Sequence, residues 1–156
     1  MIQRIQSVYL LLAGLLPAFT FWVPLMRFLD EKSGNFQTLY GLAVQTYGTA
    51  PAAGADGRPW GLIVMGILCV IMPIFTIFGY KNRKVQMRKT KLALLLIVLY
   101  YAALAFHTYA YASATGLTPA FAAGSLLPLL SFVCLWLALR AIRKDEALVR
   151  AADRIR

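Results

Sequence analysis

An all-α membrane protein, folded as a four-helix transmembrane bundle, is the fold class this sequence predicts, and three observations predict it. The 156 residues are 60% hydrophobic, with a mean hydropathy of +0.67, where a soluble domain would be about half apolar. The apolar residues are gathered into four blocks, 7–26, 60–80, 92–112 and 119–139, each 20 or 21 residues long and free of Asp, Glu, Lys and Arg. A helix of about 20 residues rises about 30 Å, the depth of a bilayer's hydrocarbon core. Finally, the net charge of +10 is concentrated in segments that flank these blocks. In a soluble chain such a charge would suggest nucleic acid. Beside membrane helices it sets topology and touches anionic headgroups, so no nucleic acid partner is expected.

The first block follows a short amphipathic start, Met1–Gln6, with one charge, Arg4. Its apolar run is long for a signal peptide and no small-residue cleavage site follows it, so it reads as the first span. Pro17 and Pro24 are expected to bend its second half. Residues 27–59 form the long outer loop, where Arg27, Lys32 and Arg58 balance Asp30, Glu31 and Asp56. Phe36, Thr38, Tyr40, Leu42 and Val44 alternate along it, which predicts a short strand. A lone hairpin is marginal in water, so this cap should lean on the outer helix ends.

The second span has Trp60 and Tyr80 at its two interfaces and Pro73 as an expected kink. The basic loop 81–91 follows, with Lys81, Arg83, Lys84, Arg88, Lys89 and Lys91 and no acid. The third span closes on the belt residues Tyr109 and Tyr111. Residues 113–118 read as a tight uncharged turn, and the fourth span as a helix starting near Pro119. Gly116, Ala120 and Gly124 recur every four residues, a small-residue stripe for close helix packing. Cys69 and Cys134 fall at depths differing by roughly 9 Å, too far for a disulfide.

The tail, 140–156, carries Arg140, Arg143, Lys144, Arg150, Arg154 and Arg156 beside Asp145, Glu146 and Asp153. Ile142, Val149, Ala152 and Ile155 fall near one helical face, and Glu146 and Arg150 form an i,i+4 pair. This predicts either a continuation of the fourth helix or a helix lying along headgroups. With the basic loop in the cytoplasm, both termini share its side. That side then holds thirteen of the sixteen Lys and Arg, as the positive-inside rule requires.

The spans hold no ionisable group apart from His107, the two cysteines and the tyrosines. This argues against an ion-coupled transporter or voltage sensor. One histidine cannot supply bis-histidine haem ligation, and two isolated cysteines are not a redox pair. No cofactor or metal is expected. The sharpest catalytic arrangement is a dyad of His107 and Ser125, placed at similar depth on an antiparallel helix pair. The bland alternative has His107 bonding a backbone carbonyl or Tyr109 and Ser125 as a small packing residue.

Three stretches carry a resemblance: Met1–Leu12, Asn82–Arg88 and Lys144–Arg156. Together they resemble a small four-helix membrane family of the Bacteroidota, a domain of unknown function, along the whole chain. The resemblance implies a bacterial inner-membrane protein with both termini cytoplasmic, and brings no catalytic residues with it. In shape alone, the long first outer loop is similar to that of claudin-like proteins, without their outer-loop cysteine pair. The function expected is that of a non-enzymatic accessory or scaffold subunit acting through its cytoplasmic face. Contacts to anionic lipid headgroups or a membrane-protein partner are expected through Arg4, the six basic residues of 81–91 and the six of the tail. The alternatives are a lipid- or small-molecule-handling protein with a pocket between helices kinked at Pro17, Pro73 and Pro128, and a Ser–His hydrolase.

Overall fold

The computed structural model describes residues 2–30, 36–42, 44–47, 59–79 and 82–153. Four helices dominate them: α1 (Ile2–Phe19), α2 (Trp60–Ile77), α3 (Arg83–Thr115) and α4 (Leu126–Asp153). Four short strands cap one end of the bundle: β1 (Met26–Leu29), β2 (Phe36–Leu39), β3 (Val44–Tyr47) and β4 (Thr118–Phe121). The sheet order is β3-β2-β1-β4, antiparallel throughout.

Helices α2, α3 and α4 are each long and apolar enough to cross a bilayer, while the apolar part of α1, Ile5–Phe19, is shorter. The core between them is closed by Leu10, Ala13, Leu62, Ile97, Tyr100 and Leu135. The opposite faces expose Leu11, Leu15, Ile71, Phe75, Val98, Leu130 and Val133. Helices apolar on both faces, packed at the centre and bare outside, belong in lipid. Polar groups stitch the interior. Ser131 Oγ donates to the Ala13 carbonyl at 2.6 Å, and Gln6 Nε2 to the Ala141 carbonyl at 3.2 Å. Gly14 lets α1 and α2 approach, since a Cβ there would stand 3.2 Å from the Val70 carbonyl. Both cysteines are free.

The structure moves several boundaries. The first helix ends at Phe19, not near residue 26. Thr20 caps the turn that follows by donating to the Pro17 carbonyl at 2.6 Å. Pro24 then disfavours helix at the residue before it, and the chain leaves extended into β1. The second helix stops at Ile77, a turn short of Tyr80, which lies outside the described residues. The supposed strand at 36–44 is a hairpin of two strands, with Phe36 paired to Tyr47 and Leu39 to Val44.

The largest corrections concern 81–91 and 113–125. The basic segment is not a loop: from Arg83 onward it is the first turns of α3, with Asn82 as N-cap accepting from the Val85 amide at 3.5 Å. No Gly or Pro interrupts it, and Lys and Arg are good helix formers. At its other end α3 runs to Thr115, and Gly116 closes it in the left-handed region at φ 71°. The fourth helix does not begin at Pro119. Residues 118–121 form β4 against β1, with Pro119 opposite Phe28. A strand at the sheet's edge tolerates a residue without an amide proton. A 3-10 turn (Ala123–Ser125) then leads into α4. Pro128 therefore sits in the first turn of α4, where a missing N–H costs little. Gly116, Ala120 and Gly124 lie in a cap, a strand and a turn, so they form no helical stripe.

The sheet leans on the helix ends, as a marginal cap must. Phe28 is fully buried, its ring 4.7 Å from that of Tyr111. The Tyr111 hydroxyl donates to Gln37 Oε1. Gly124 permits the tightest contact: its amide donates to the Pro24 carbonyl at 2.9 Å.

Candidate functional site

At the end of the bundle opposite the sheet, three segments distant in sequence converge. α3, with 33 residues, is about 50 Å long, and α4, with 28, about 42 Å, against a hydrocarbon core of about 30 Å. Both overhang the apolar zone at this end, where they carry the basic residues. Arg83 at the start of α3 reaches α4. Its Nη1 lies 3.2 Å from Asp145 Oδ2 and donates to the Asp145 carbonyl at 3.0 Å. Gln6 of α1 joins α4 one turn away, at Ala141. Gln86 and Glu146 are buried, as is Ile142. Glu146 also lines a small recess of about 220 Å³ with Met87, Arg143 and Ala147.

As far as Asp153 the tail is thus a continuation of α4, and it packs on the start of α3. Its two central acids turn inward, one onto Arg83 and one into the packing. Lys84, Arg88, Lys91, Arg140, Arg143 and Lys144 are left exposed, with Lys89 half-buried. Arg140 places its guanidinium 4.8 Å from the Trp136 ring centroid. Beyond the recess, Leu148 and Val149 are 52% and 42% exposed. Lys81 and 154–156 lie outside the described residues, and the side chains of Arg4 and Arg150 are likewise not described. Sequence reasoning placed the cations but missed the inward roles of Gln6, Gln86, Asp145 and Glu146. Adjacent acids in a basic segment were the available signal.

Replacing Asp145 by Asn is expected to lower stability by only about 0.5–1 kcal/mol, because the pair is partly exposed and the bond to the Asp145 carbonyl survives. Thermal unfolding in detergent checks this, and the difference from the parent should shrink at high salt.

At the sheet end, two neighbouring apolar clefts of about 620 and 550 Å³ share Tyr101 and Phe121. Both are within the usual range for small-ligand sites, about 300–1,000 Å³. Phe121 is 85% exposed at their rim. The Tyr101 hydroxyl donates to the Ser125 carbonyl at 2.5 Å, bracing α3 against the start of α4. Thr108 lines the smaller cleft and has a buried hydroxyl with no hydrogen-bond partner among the described residues. Apart from Ser125, no sequence pattern marked these residues, because the clefts exist only once β4 has folded over α3.

His107 and Ser125 have separate surroundings. His107 faces α2, where its Nε2 lies 3.3 Å from the position of a Cβ on Gly61. Ser125 is buried and its Oγ donates to the Ala122 carbonyl at 2.7 Å. Among the described residues, no hydrogen bond joins the two.

A helical bundle with a lipid-ready surface, one capped end and one basic end defines this chain as a helical membrane protein. It belongs to the family described as Domain of unknown function (DUF4293), whose model matches residues 2–155. No curated protein matches it.

Proposed function

We propose that the protein is a non-enzymatic accessory or scaffold subunit of a membrane assembly, working through its basic end. We place that end in the cytoplasm of a bacterium, with both termini there and the sheet outside the inner membrane. The charge count supports this orientation: all the basic residues of 83–91 and 140–150 belong to one end of the bundle. The observation that carries the docking role is the overhang of α4. It is held in place by Arg83 and by Gln6, yet presents Leu148 and Val149 bare beyond the recess. A topology anchor needs charge alone; an apolar pair on a fixed extramembrane helix suits a partner's groove. Purification in mild detergent is expected to retain a reproducible membrane-protein partner. Leu148→Asp with Val149→Asp should release that partner while leaving membrane insertion intact. A lone monomer from the parent chain overturns the reading.

The clefts around Tyr101 favour a second reading, the handling of a lipid or small apolar molecule. Ala105 lines the smaller cleft, so Ala105→Phe should fill it and displace any apolar molecule that native mass spectrometry detects on the parent. Unchanged occupancy would remove this reading.

A further inference from the structure

We infer that the outer groove between α3 and α4 at the basic end holds the headgroup of one anionic phospholipid, with Lys84 and Lys91 on one wall and Arg140 and Arg143 on the other. The helix register is set by two contacts, Tyr101 to the Ser125 carbonyl and Arg83 to Asp145. In that antiparallel register Arg143 stands level with Lys84, and Arg140 level with Met87. At about 100° per residue, Lys84, Met87 and Lys91 fall within about 60° of one another on α3. Arg140, Arg143 and Ala147 do the same on α4. Met87, Arg143 and Ala147 line one recess, which ties these two faces to the same groove. All four cations are exposed.

Charge complementarity identifies the occupant. Three of the six acids, Asp145, Glu146 and Asp153, belong to this end, and the two nearest this groove are drawn in from solvent. Asp145 is engaged by Arg83 and Glu146 is buried. Glu146 lines the recess from below, so the solvent-exposed charged side chains on the two walls are cations, and Arg and Lys suit a phosphate. Depth identifies the phosphate as a lipid's. Arg140 lies over Trp136, at the place where aromatic rings meet the headgroup layer. The exposed Val133 and Leu129 continue the α4 surface into the apolar zone, where acyl chains lie. This site is independent of any docking by Leu148 and Val149.

The test uses the full chain in phosphatidylcholine vesicles containing a minor share of phosphatidylglycerol, extracted gently and weighed by native mass spectrometry. One phosphatidylglycerol is expected to stay bound in preference to phosphatidylcholine. Arg140→Gln with Arg143→Gln should cut its retention at least about tenfold, since each cation near a headgroup contributes about one kcal/mol, roughly fivefold in binding. Lys84→Gln with Lys91→Gln, on the other wall, should act alike, so the result does not hang on one variant's folding. Lys89→Gln removes one charge from the same end but from another face, about 140° round the helix from Lys84, and should change retention less than about twofold. A loss at Lys89→Gln as large, per charge removed, as in the two pairs would reduce the groove to a diffuse basic belt and overturn the inference. So would indifference to lipid type, or displacement of the lipid by inorganic phosphate.

Discussion

Gly124→Ala is expected to destabilise the protein by about 3 kcal/mol or more, an unusually large effect for one methyl group. A Cβ at this position would stand 2.4 Å from the Pro24 carbonyl oxygen and 2.9 Å from the Val23 oxygen. Both obstacles are backbone, so no side chain can swing aside. Overpacking alone typically costs about 1–3 kcal/mol. Displacement would also stretch the bond from the Gly124 amide to Pro24 and loosen that from the Ala122 amide to Leu25, each contributing about 1 kcal/mol. The damage should be local. Hydrogen exchange should accelerate at Ala122 and Gly124, while helix content stays near that of the parent. Ala123→Ser, at the exposed neighbouring position, serves as the control. An unchanged melting temperature for Gly124→Ala would mean that the turn does not press on Pro24.

Phe28→Ala should have an effect of similar size and different character. Phe28 is fully buried between the sheet and the helix ends, in ring contact with Tyr111. Truncating such a residue costs about 3–5 kcal/mol, through lost burial and the cavity left behind. About 1 kcal/mol of that belongs to the aromatic pair. The loss falls on the cap, because β1 is a central strand, flanked by β2 and β4. Limited proteolysis should become faster in the cap while the helices resist. Phe28→Leu should recover more than half of the loss. If Phe28→Ala melts at the parent's temperature with an intact cap, the sheet does not depend on this anchor.

The number and order of the helices were legible because a 20-residue uncharged block has few other uses. Their ends were less legible, for a specific reason. Met26–Leu29 and Thr118–Phe121 pair with each other across 89 to 95 residues of sequence. Such pairing leaves no local mark: Ala120 and Phe121 are as apolar as the helix that follows. Pro119 fits the first turn of a helix and also an edge strand, and only the partner strand decides between them. The basic segment misled in the opposite direction. Charge ended the apolar block at Lys91 without ending the helix, since Lys and Arg propagate a helix as well as Leu does. At the candidate site, the cations were legible from charge alone. The withdrawal of Asp145 and Glu146 was not, because it depends on which face of α4 meets α3.

The position of β1 has a consequence for how the chain is assembled. One of its edges is satisfied early, by β2, which follows within the same connection between α1 and α2. The other edge waits for β4, which is synthesised only after all of α3. Until then β1 presents a row of unpaired amides and carbonyls, the kind of surface that invites wrong partners. A chain stalled after three helices therefore differs from a finished one in a chemically recognisable way. Strand β4 acts as a latch, and its closing records that the third helix has been threaded and the fourth has begun.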